Sequence, residues 1–248
     1  MNNDNNKETI GILLSLCSRN MDWSIISDID LFKFFLPSLF NTISNKYNIK
    51  LFIGYDDNDE FIINNLEQIK KRIHKISTFT ELQNCNGNPC KAWNTLLKEN
   101  IDKADYFYQI GTDIILKTKN WDTHFINILK KNKNVGVCSS SELSFWVGRY
   151  VENKVGILEN VFFHKTHYNI FNCLYPDEFK NWFSDDYITD LYYGINKCFI
   201  CPYINYLNTH RVGQQATNRY NPDLSIHNKW RDLVKRDSKK FNNIKIKK

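Results

Sequence analysis

The sequence lacks a long apolar run and an apolar leader. Its longest apolar stretches are Ile10–Leu16 and the run that begins at Phe34, and both fall well short of the ~20 residues that a membrane-spanning helix needs. The opening residues, MNNDNNKET, are polar and carry no signal-peptide core. We therefore expect a soluble, cytoplasmic protein with a disordered segment over residues 1–9.

Alanine is also scarce, with three residues against 33 Asn, and Lys outnumbers Arg 26 to 7. This bias follows the codon usage of an AT-rich genome, such as that of a protist or a large DNA virus, and it indicates little about function. The apolar content is nevertheless 42%, with 15% aromatic residues, in a chain of 248 residues. That composition excludes disorder for most of the chain and favours a single domain with a sizeable core.

An excess of positive charge is absent from most of the chain. The formal charge is +6, but residues 229–248 hold nine Lys or Arg and two Asp, so this segment alone carries +7 and the remainder is about −1. The slightly acidic remainder argues against a nucleic-acid-binding module. We expect residues 229–248 to form a solvated, basic tail that contacts anionic surfaces at most.

The cysteines predict neither disulfides nor a metal centre. Seven Cys are dispersed through the chain, an odd number without a secretory signal, so reduced thiols are expected. Only Cys198 and Cys201 have a metal-like spacing, and no second pair accompanies them, which favours core positions.

Strand and helix patterns alternate along the first half of the chain. Ile10–Cys17 and Lys50–Tyr55 are continuous apolar runs typical of strands buried on both faces, a helix with an irregular start or kink at Pro37 is expected around Leu31–Ile43, and Phe61–Ile73 has helical spacing. Further strands are expected at His74–Phe79, Asp105–Ile110, Asn134–Ser139 and Phe199–Leu207, and further helices at Lys91–Glu99, Asn120–Leu129 and Asp177–Tyr193. This order predicts an α/β fold, in which ligands bind at the carboxyl ends of the strands.

Three segments carry a resemblance to a known family. They are Ile53–Asp59, with an acidic turn after a strand; Asn86–Asn94, a glycine-led loop with the start of a helix; and Ala104–Asp113, a strand that ends in Gly-Thr-Asp. Together they resemble GT-A nucleotide-diphospho-sugar glycosyltransferases with a family 2-like organisation. The resemblance implies a Rossmann-like, mostly parallel sheet in a catalytic domain over residues 10–228, with a nucleotide-sugar half to residue 141 and an acceptor-side half after it.

The resemblance also implies a set of donor-site residues. The nucleotide-sugar contacts would come from residues after successive strands: Cys17, Arg19, Asp56, Asp57, Lys91, Thr112 and Asp113. The family's first metal-binding Asp is replaced by Gly111, so Asp113 would hold Mn²⁺ or Mg²⁺ with His210 as second ligand. Ordinary alternatives stay open: an Asx turn at Asp56–Asp57, a capping or solvated Asp113, a loop histidine at 210.

An acidic pair on the acceptor side resembles the motif that supplies the general base of inverting transferases. Asp186 would deprotonate the acceptor hydroxyl, with Asp185 as the alternative, although both could simply cap a helix. Trp182 could stack on a sugar ring or lie in the core. His164 and His167, which follow an apolar run, could line the donor or acceptor site or be packing residues.

These observations lead to one principal hypothesis and two alternatives. The principal hypothesis is a metal-assisted glycosyltransferase that moves a sugar from a nucleoside-diphosphate sugar, with UDP favoured, to a hydroxyl on a glycan or protein, with inversion. A catalytically inactive nucleotide-sugar or glycan-binding protein would fit the loss of an acid at Gly111. A nucleotidyltransferase is less favoured, because the loop Cys17–Trp23 has no glycine to grip a triphosphate.

Overall fold

The computed structural model describes residues 7–142, 156–209 and 221–243. In these residues eight strands form one sheet: β1 (Thr9–Leu16), β2 (Asn48–Asp56), β3 (Ser77–Leu82), β4 (Tyr106–Gln109), β5 (Ile114–Leu116), β6 (Val137–Glu142), β7 (Val161–His164) and β8 (Cys198–Asn208). The α-helices described are α1 (Leu36–Thr42), α2 (Glu60–Ile73), α3 (Pro89–Asn100), α4 (Trp121–Lys131), α5 (Thr166–Phe171), α6 (Ser184–Tyr193) and α7 (Trp230–Ser238).

The sheet is mixed, with the order β3-β2-β1-β4-β7-β6-β8-β5. Strands β1 to β4 run parallel to one another, β7 is antiparallel to β4 and β6, β8 is parallel to β6, and β5 is antiparallel to β8. The carboxyl ends of β1, β2, β3, β4, β6 and β8 therefore lie along one edge of the sheet. We call this the carboxyl edge and the opposite one the amino edge.

Two hydrophobic cores cover the two faces of the sheet. Alternate side chains of β1, such as Ile12 and Leu14, pack with α1, α2 and α4 on one face. Leu13 of β1 and Phe107 of β4 pack with α3, α5, α6 and α7 on the other. Burial on both faces explains why β1 reads as an unbroken apolar run.

The helices in the amino-terminal half begin where local sequence signals place them. Asp59 caps α2 by accepting a hydrogen bond from the Ile62 amide at 3.1 Å, and Asn88 caps α3 in the same way from the Lys91 amide at 3.0 Å. A π-helical turn at Leu31–Phe35 precedes α1, which agrees with the irregular start expected near Pro37.

Three elements after β4 differ from the sequence prediction. The helix expected over Asp177–Tyr193 begins only at Ser184, because Phe183 has a left-handed backbone (φ 67°) and the preceding residues form turns. Strand β5 and helix α5 were not predicted. They have three and six residues, and segments this short carry no readable periodicity.

The expected solvated tail is instead a docked helix in residues 229–243. Trp230 and Phe241 are buried in the second core, and Asp237 is fully buried. The Asp237 carboxylate accepts a hydrogen bond from the Tyr187 hydroxyl at 2.9 Å and forms ion pairs with Arg236 and Lys240, both at 2.9 Å. These contacts fix α7 against α6, while its remaining Lys and Arg side chains face solvent.

In the part of the chain that the structure describes, no helix has both the length and the apolar character needed to cross a membrane.

Candidate active site at the carboxyl edge of the sheet

Four loops meet at the carboxyl edge, and the first of them follows β1. In this loop the Arg19 guanidinium lies 3.0 Å from a carboxylate oxygen of Asp56, the last residue of the neighbouring strand β2. Asp56 is only 5% exposed, and this burial raises the pKa of its carboxyl although Arg19 opposes the shift. Cys17 is half-buried in the same loop, and burial raises the pKa of its thiol as well.

Asp59 holds this loop in place, a role that sequence analysis missed. Its carboxylate accepts hydrogen bonds from the Ser18 amide at 2.7 Å and from the Ser18 hydroxyl at 2.6 Å, in addition to capping α2. Asp59 is 8% exposed. The sequence Asp-Asp-Asn-Asp at 56–59 indicates a turn, but nothing local indicates that Asp59 bonds to a residue 41 positions earlier.

The loop between β3 and α3 is the second part of the edge. Asp57 is half-buried and accepts a hydrogen bond from the Asn84 amide at 3.1 Å, which joins this loop to the end of β2. The Lys91 ammonium donates to the carbonyls of Gln83 and Asn84 at 3.1 and 3.3 Å. Lys91 is exposed, so it supports the loop and still presents positive charge at the edge.

The Gly111-Thr112-Asp113 turn follows β4 and leads into β5. The Asp113 carbonyl accepts hydrogen bonds from the amide and hydroxyl of Thr209, at 2.9 and 3.0 Å, so the end of β8 lies beside this turn. A Cβ atom added at Gly111 would overlap the Oδ1 atom of Asp113, whose carboxylate occupies the space left by the missing side chain. Thr112 is fully buried and its hydroxyl has no hydrogen-bond partner among the described residues.

The start of α6 is the fourth part of the edge. Asp185 and Asp186 lie half-buried in its first turn. The segment before α6 is bonded to the loop at the start of α3, because the Cys90 amide donates to the Lys180 carbonyl at 3.1 Å and the Asn181 side chain donates to the Gly87 carbonyl, also at 3.1 Å. These bonds bring the acidic pair to the same edge as the donor-site candidates.

Asn181 connects three segments around this acidic pair, and sequence analysis did not identify it. Besides its bond to Gly87, its amide nitrogen donates to the Asn221 carbonyl at 3.1 Å, and its oxygen accepts from the amides of Trp182 and Asp223 at 2.7 and 2.8 Å. The Trp182 side chain is left 41% exposed. This exposure fits a surface for a sugar ring better than it fits a core position.

His164 and His167 do not lie at this edge, and their expected role in the donor or acceptor site is corrected by the structure. His164 pairs with Tyr106, the first residue of β4, because β7 runs antiparallel and ends at the amino edge. His167 is 2% exposed and its Nδ1 atom lies 2.7 Å from the Tyr192 hydroxyl in the second core. Burial lowers the pKa of each histidine to about 4, so both are neutral packing residues at pH 7.

A divalent cation fits this edge through one protein carboxylate. Asp113 is half-buried, and no hydrogen bond to its side chain occurs among residues 7–142, 156–209 and 221–243. Carboxylate oxygen is a ligand that Mg²⁺ and Mn²⁺ prefer, with phosphate oxygens and waters able to complete the shell. In the described ranges no three His, Cys, Asp or Glu side chains are grouped so that they could hold a metal ion, and His210 lies outside these ranges.

No protein-family model and no curated protein sequence matches this chain. Solved structures do match. S. aureus TarS 1–349 in complex with UDP-GlcNAc aligns with a TM-score of 0.60 and 14% identity, over 93% of this chain and 66% of that chain. GalNAc-T7 with UDP, GalNAc and Mn²⁺ aligns with a TM-score of 0.59 and 12% identity, over 94% of this chain and 55% of that chain.

A 4-diphosphocytidyl-2C-methyl-D-erythritol synthase from Anaerococcus prevotii also aligns, with a TM-score of 0.51 and 12% identity, over 96% of this chain and 97% of that chain. At these identities the alignments establish the fold alone. The expected fold class is therefore confirmed: the chain has the GT-A fold of glycosyltransferases, with its mixed sheet flanked by helices. The chain spans 66% of the TarS chain and 55% of the GalNAc-T7 chain named above.

Proposed function

We propose that this protein is a glycosyltransferase that moves a sugar from a nucleoside-diphosphate sugar to a hydroxyl group. The observation that carries the proposal is the meeting of the Arg19–Asp56 pair, Asp113 and the acidic start of α6 at the carboxyl edge of a GT-A sheet. In open α/β sheets this edge is where ligands bind.

The Arg19–Asp56 pair is our candidate for the nucleobase contact, and it favours uracil. A carboxylate accepts the imide N–H of uracil and a guanidinium donates to a uracil carbonyl, whereas the corresponding ring nitrogen of cytosine is an acceptor that an ionised carboxylate repels. Because burial already raises the pKa of Asp56, a bound N–H donor also compensates for the cost of keeping this carboxylate ionised. Cys17 lies two residues before Arg19 and Asp57 directly follows Asp56, so both are candidates for the ribose side.

Asp113 is our candidate for the diphosphate side, with Thr112 beside it and Lys91 adding positive charge from α3. We keep Mn²⁺ or Mg²⁺ as the proposed cofactor, held by Asp113 and by His210, which follows Thr209 in the chain. Such a cation stabilises the negative charge that develops on the leaving diphosphate. The bonds between the Asp113 carbonyl and Thr209 fix the position of this residue in the turn after β4.

The start of α6 is our candidate for the acceptor side. Asp186 is the proposed general base and Asp185 the alternative, since a carboxylate in the first turn is stabilised in its ionised form by the helix dipole. A base that takes the acceptor proton while the diphosphate leaves on the opposite face produces inversion. Trp182 is the proposed platform for a sugar ring, either of the donor or of a glycan acceptor, and the acceptor hydroxyl belongs to a glycan or a protein.

Thermal unfolding in the presence of nucleotides tests the donor assignment without knowledge of the acceptor. UDP, GDP, CDP and their common sugar conjugates are each added with Mn²⁺, Mg²⁺ or EDTA, and release of UDP from the conjugates is measured in parallel. A ligand that binds only the folded state raises the melting temperature by mass action, so we expect a metal-dependent shift with uridine nucleotides.

The matched variants in that experiment are Asp113→Ala and Asp102→Ala. Asp102 is an exposed carboxylate between α3 and β4, at the amino edge, so its removal is expected to leave the shift unchanged. Asp113→Ala is expected to abolish it. A well-folded wild-type protein that shows no shift with any nucleotide would remove the donor-site assignment.

A nucleotidyltransferase is the second candidate. It is favoured by the alignment with the 4-diphosphocytidyl-2C-methyl-D-erythritol synthase, which covers nearly the full length of both chains. Such an enzyme would be stabilised by a nucleoside triphosphate and would release pyrophosphate from it in the presence of a sugar phosphate. The same thermal panel, extended to CTP and UTP, distinguishes the two. Stabilisation by UDP-sugars with no pyrophosphate release favours the transferase.

A further inference from the structure

We propose that Asp59 is the positioning residue of the donor site, which holds Arg19 against Asp56 by locking the loop after β1. This inference rests on the proposed function, since it assigns Arg19 and Asp56 to nucleobase recognition. Asp59 does not touch that pair through its side chain. It acts through Ser18, the residue directly before Arg19.

The lock consists of two short hydrogen bonds to a buried, ionisable group. The Ser18 amide donates to Oδ2 of Asp59 at 2.7 Å, and the Ser18 hydroxyl donates to Oδ1 at 2.6 Å. Hydrogen bonds to a carboxylate are shorter and stronger than those between neutral groups. Because Asp59 is 8% exposed, water cannot readily replace either bond.

The geometry of the chain carries this restraint to Arg19. Ser18 begins a tight turn that the Met21 amide closes with a 2.9 Å bond to the Ser18 carbonyl, and Asn20 within the turn has a left-handed backbone (φ 59°). On the other side, the Asp59 amide donates to the Asp56 carbonyl at 3.1 Å. Asp59 is thus bonded to the residue before Arg19 and to Asp56 itself, so it fixes the distance between the two halves of the pair.

The capping of α2 by Asp59 gives the competing explanation, a merely structural role. Asn and Ser are N-caps about as good as Asp, so Asp59→Asn and Asp59→Ser retain the helix cap. Asn replaces one carboxylate oxygen by an NH₂ donor that cannot accept from the Ser18 amide, and Ser is too short to reach it. If capping were the only role of Asp59, neither variant would change hydrogen exchange in the loop after β1 or the affinity for UDP.

The control is a similar motif elsewhere in the chain. Asp28 accepts hydrogen bonds at 3.1 Å from the amide and hydroxyl of Ser24, and a third from the Ile25 amide. That loop lies near Arg72 at the end of α2, away from the carboxyl edge. Asp28→Asn therefore removes the same kind of bonds without reaching Arg19.

The first measurement is amide hydrogen exchange of residues 17–21, which requires no ligand. We expect exchange in this segment to accelerate in Asp59→Asn and Asp59→Ser and to stay at the wild-type rate in Asp28→Asn. Unchanged exchange in both Asp59 variants would overturn the lock, whether or not the protein binds a nucleotide. A wild-type protein that binds no nucleotide would defeat the proposed function, while the exchange result would still decide the lock.

The second measurement is a double-mutant cycle on UDP affinity by calorimetry. We expect Asp59→Asn to weaken UDP binding about tenfold, the equivalent of one charge-assisted hydrogen bond. If Asp59 acts through Arg19, the same substitution must have no further effect in an Arg19→Ala background. Additive losses, or a tenfold loss that persists without Arg19, would overturn the proposal.

Discussion

The proposed function places Gly111 where GT-A transferases carry the first acid of their metal motif, and it makes an unusual prediction: adding a side chain at Gly111 should damage the site. A Cβ at this position would overlap Oδ1 of Asp113, and its other near neighbours are the Asp113 Cγ at 3.4 Å and the Ile114 Cγ1 at 3.7 Å, which are ordinary contacts. Only the carboxylate of Asp113 obstructs the new atom. Gly111→Ala is therefore expected to rotate that carboxylate away and to leave the backbone in place.

Gly111→Ala should change the free energy of unfolding only slightly and the binding of UDP with metal strongly. Forcing Asp113 off its rotamer costs about 1 kcal/mol, and replacing glycine stabilises by roughly 0.4–1 kcal/mol through the unfolded state, so the two nearly cancel. We expect the free energy of unfolding without ligand to change by less than about 1 kcal/mol. We expect metal-dependent stabilisation by UDP to fall to the level of Asp113→Ala, because the same carboxylate is lost.

Thermal unfolding with UDP and Mn²⁺ checks this prediction on Gly111→Ala, Gly111→Asp and the control Gly194→Ala. A Cβ at Gly194 meets the Asp190 carbonyl oxygen at 3.5 Å, an ordinary contact, so this control is expected to bind as the wild type does. Gly111→Asp adds a second carboxylate beside Asp113 and is nevertheless expected to bind UDP and Mn²⁺ more weakly than the wild type. Stronger metal-dependent binding by Gly111→Asp, or unchanged binding by Gly111→Ala, would refute the assigned position of the Asp113 carboxylate.

Two further predictions concern the second core. Asp237→Ala should lower the free energy of unfolding by about 2 kcal/mol in urea titrations, because it leaves the buried Tyr187 hydroxyl unpaired, whereas the exposed Asp232→Ala on the same helix should be neutral. Burial alone would raise the pKa of Asp237, but hydrogen bonds from Arg236, Lys240 and Tyr187 outweigh burial and lower this pKa below its usual range. The ionised Asp237 therefore stabilises the fold fully above pH about 4, and this stabilisation disappears as the pH falls further. His167, with its pKa lowered to about 4 by burial, takes up its proton more readily when unfolded, so its contribution to the fall in stability between pH 6.5 and 4 should reach up to about 3 kcal/mol. His167→Gln should show a shallower loss over that range, and an unchanged slope would contradict the assignment.

Local patterns were sufficient to predict the amino-terminal half of the sheet. The apolar runs at Ile10–Cys17 and Lys50–Tyr55 are continuous because β1 and β2 are buried on both faces, and a continuous run is visible in the sequence without any knowledge of neighbours. Since the parallel strands end at one edge, the sequence alone predicts that Arg19, Asp56 and Asp113 lie at the same edge of the sheet.

The carboxyl-terminal half depended on contacts between distant residues. His164 is the last residue of a strand, as Asp56 is, but β7 runs antiparallel and therefore ends at the opposite edge. The basic composition after residue 229 predicts a solvated tail. This segment is docked instead, because Asp237 accepts a hydrogen bond from Tyr187, a residue 50 positions away.

The hydrogen bonds between Ser18 and Asp59 also join residues that are distant in the sequence. Periodicity, caps and turns are properties of neighbouring residues, so the sequence expresses them directly. Tertiary folding alone determines strand direction, buried ion pairs and side-chain hydrogen bonds between loops. Each of these depends on how distant segments are placed relative to one another, and the local sequence pattern of one segment carries no information about the other.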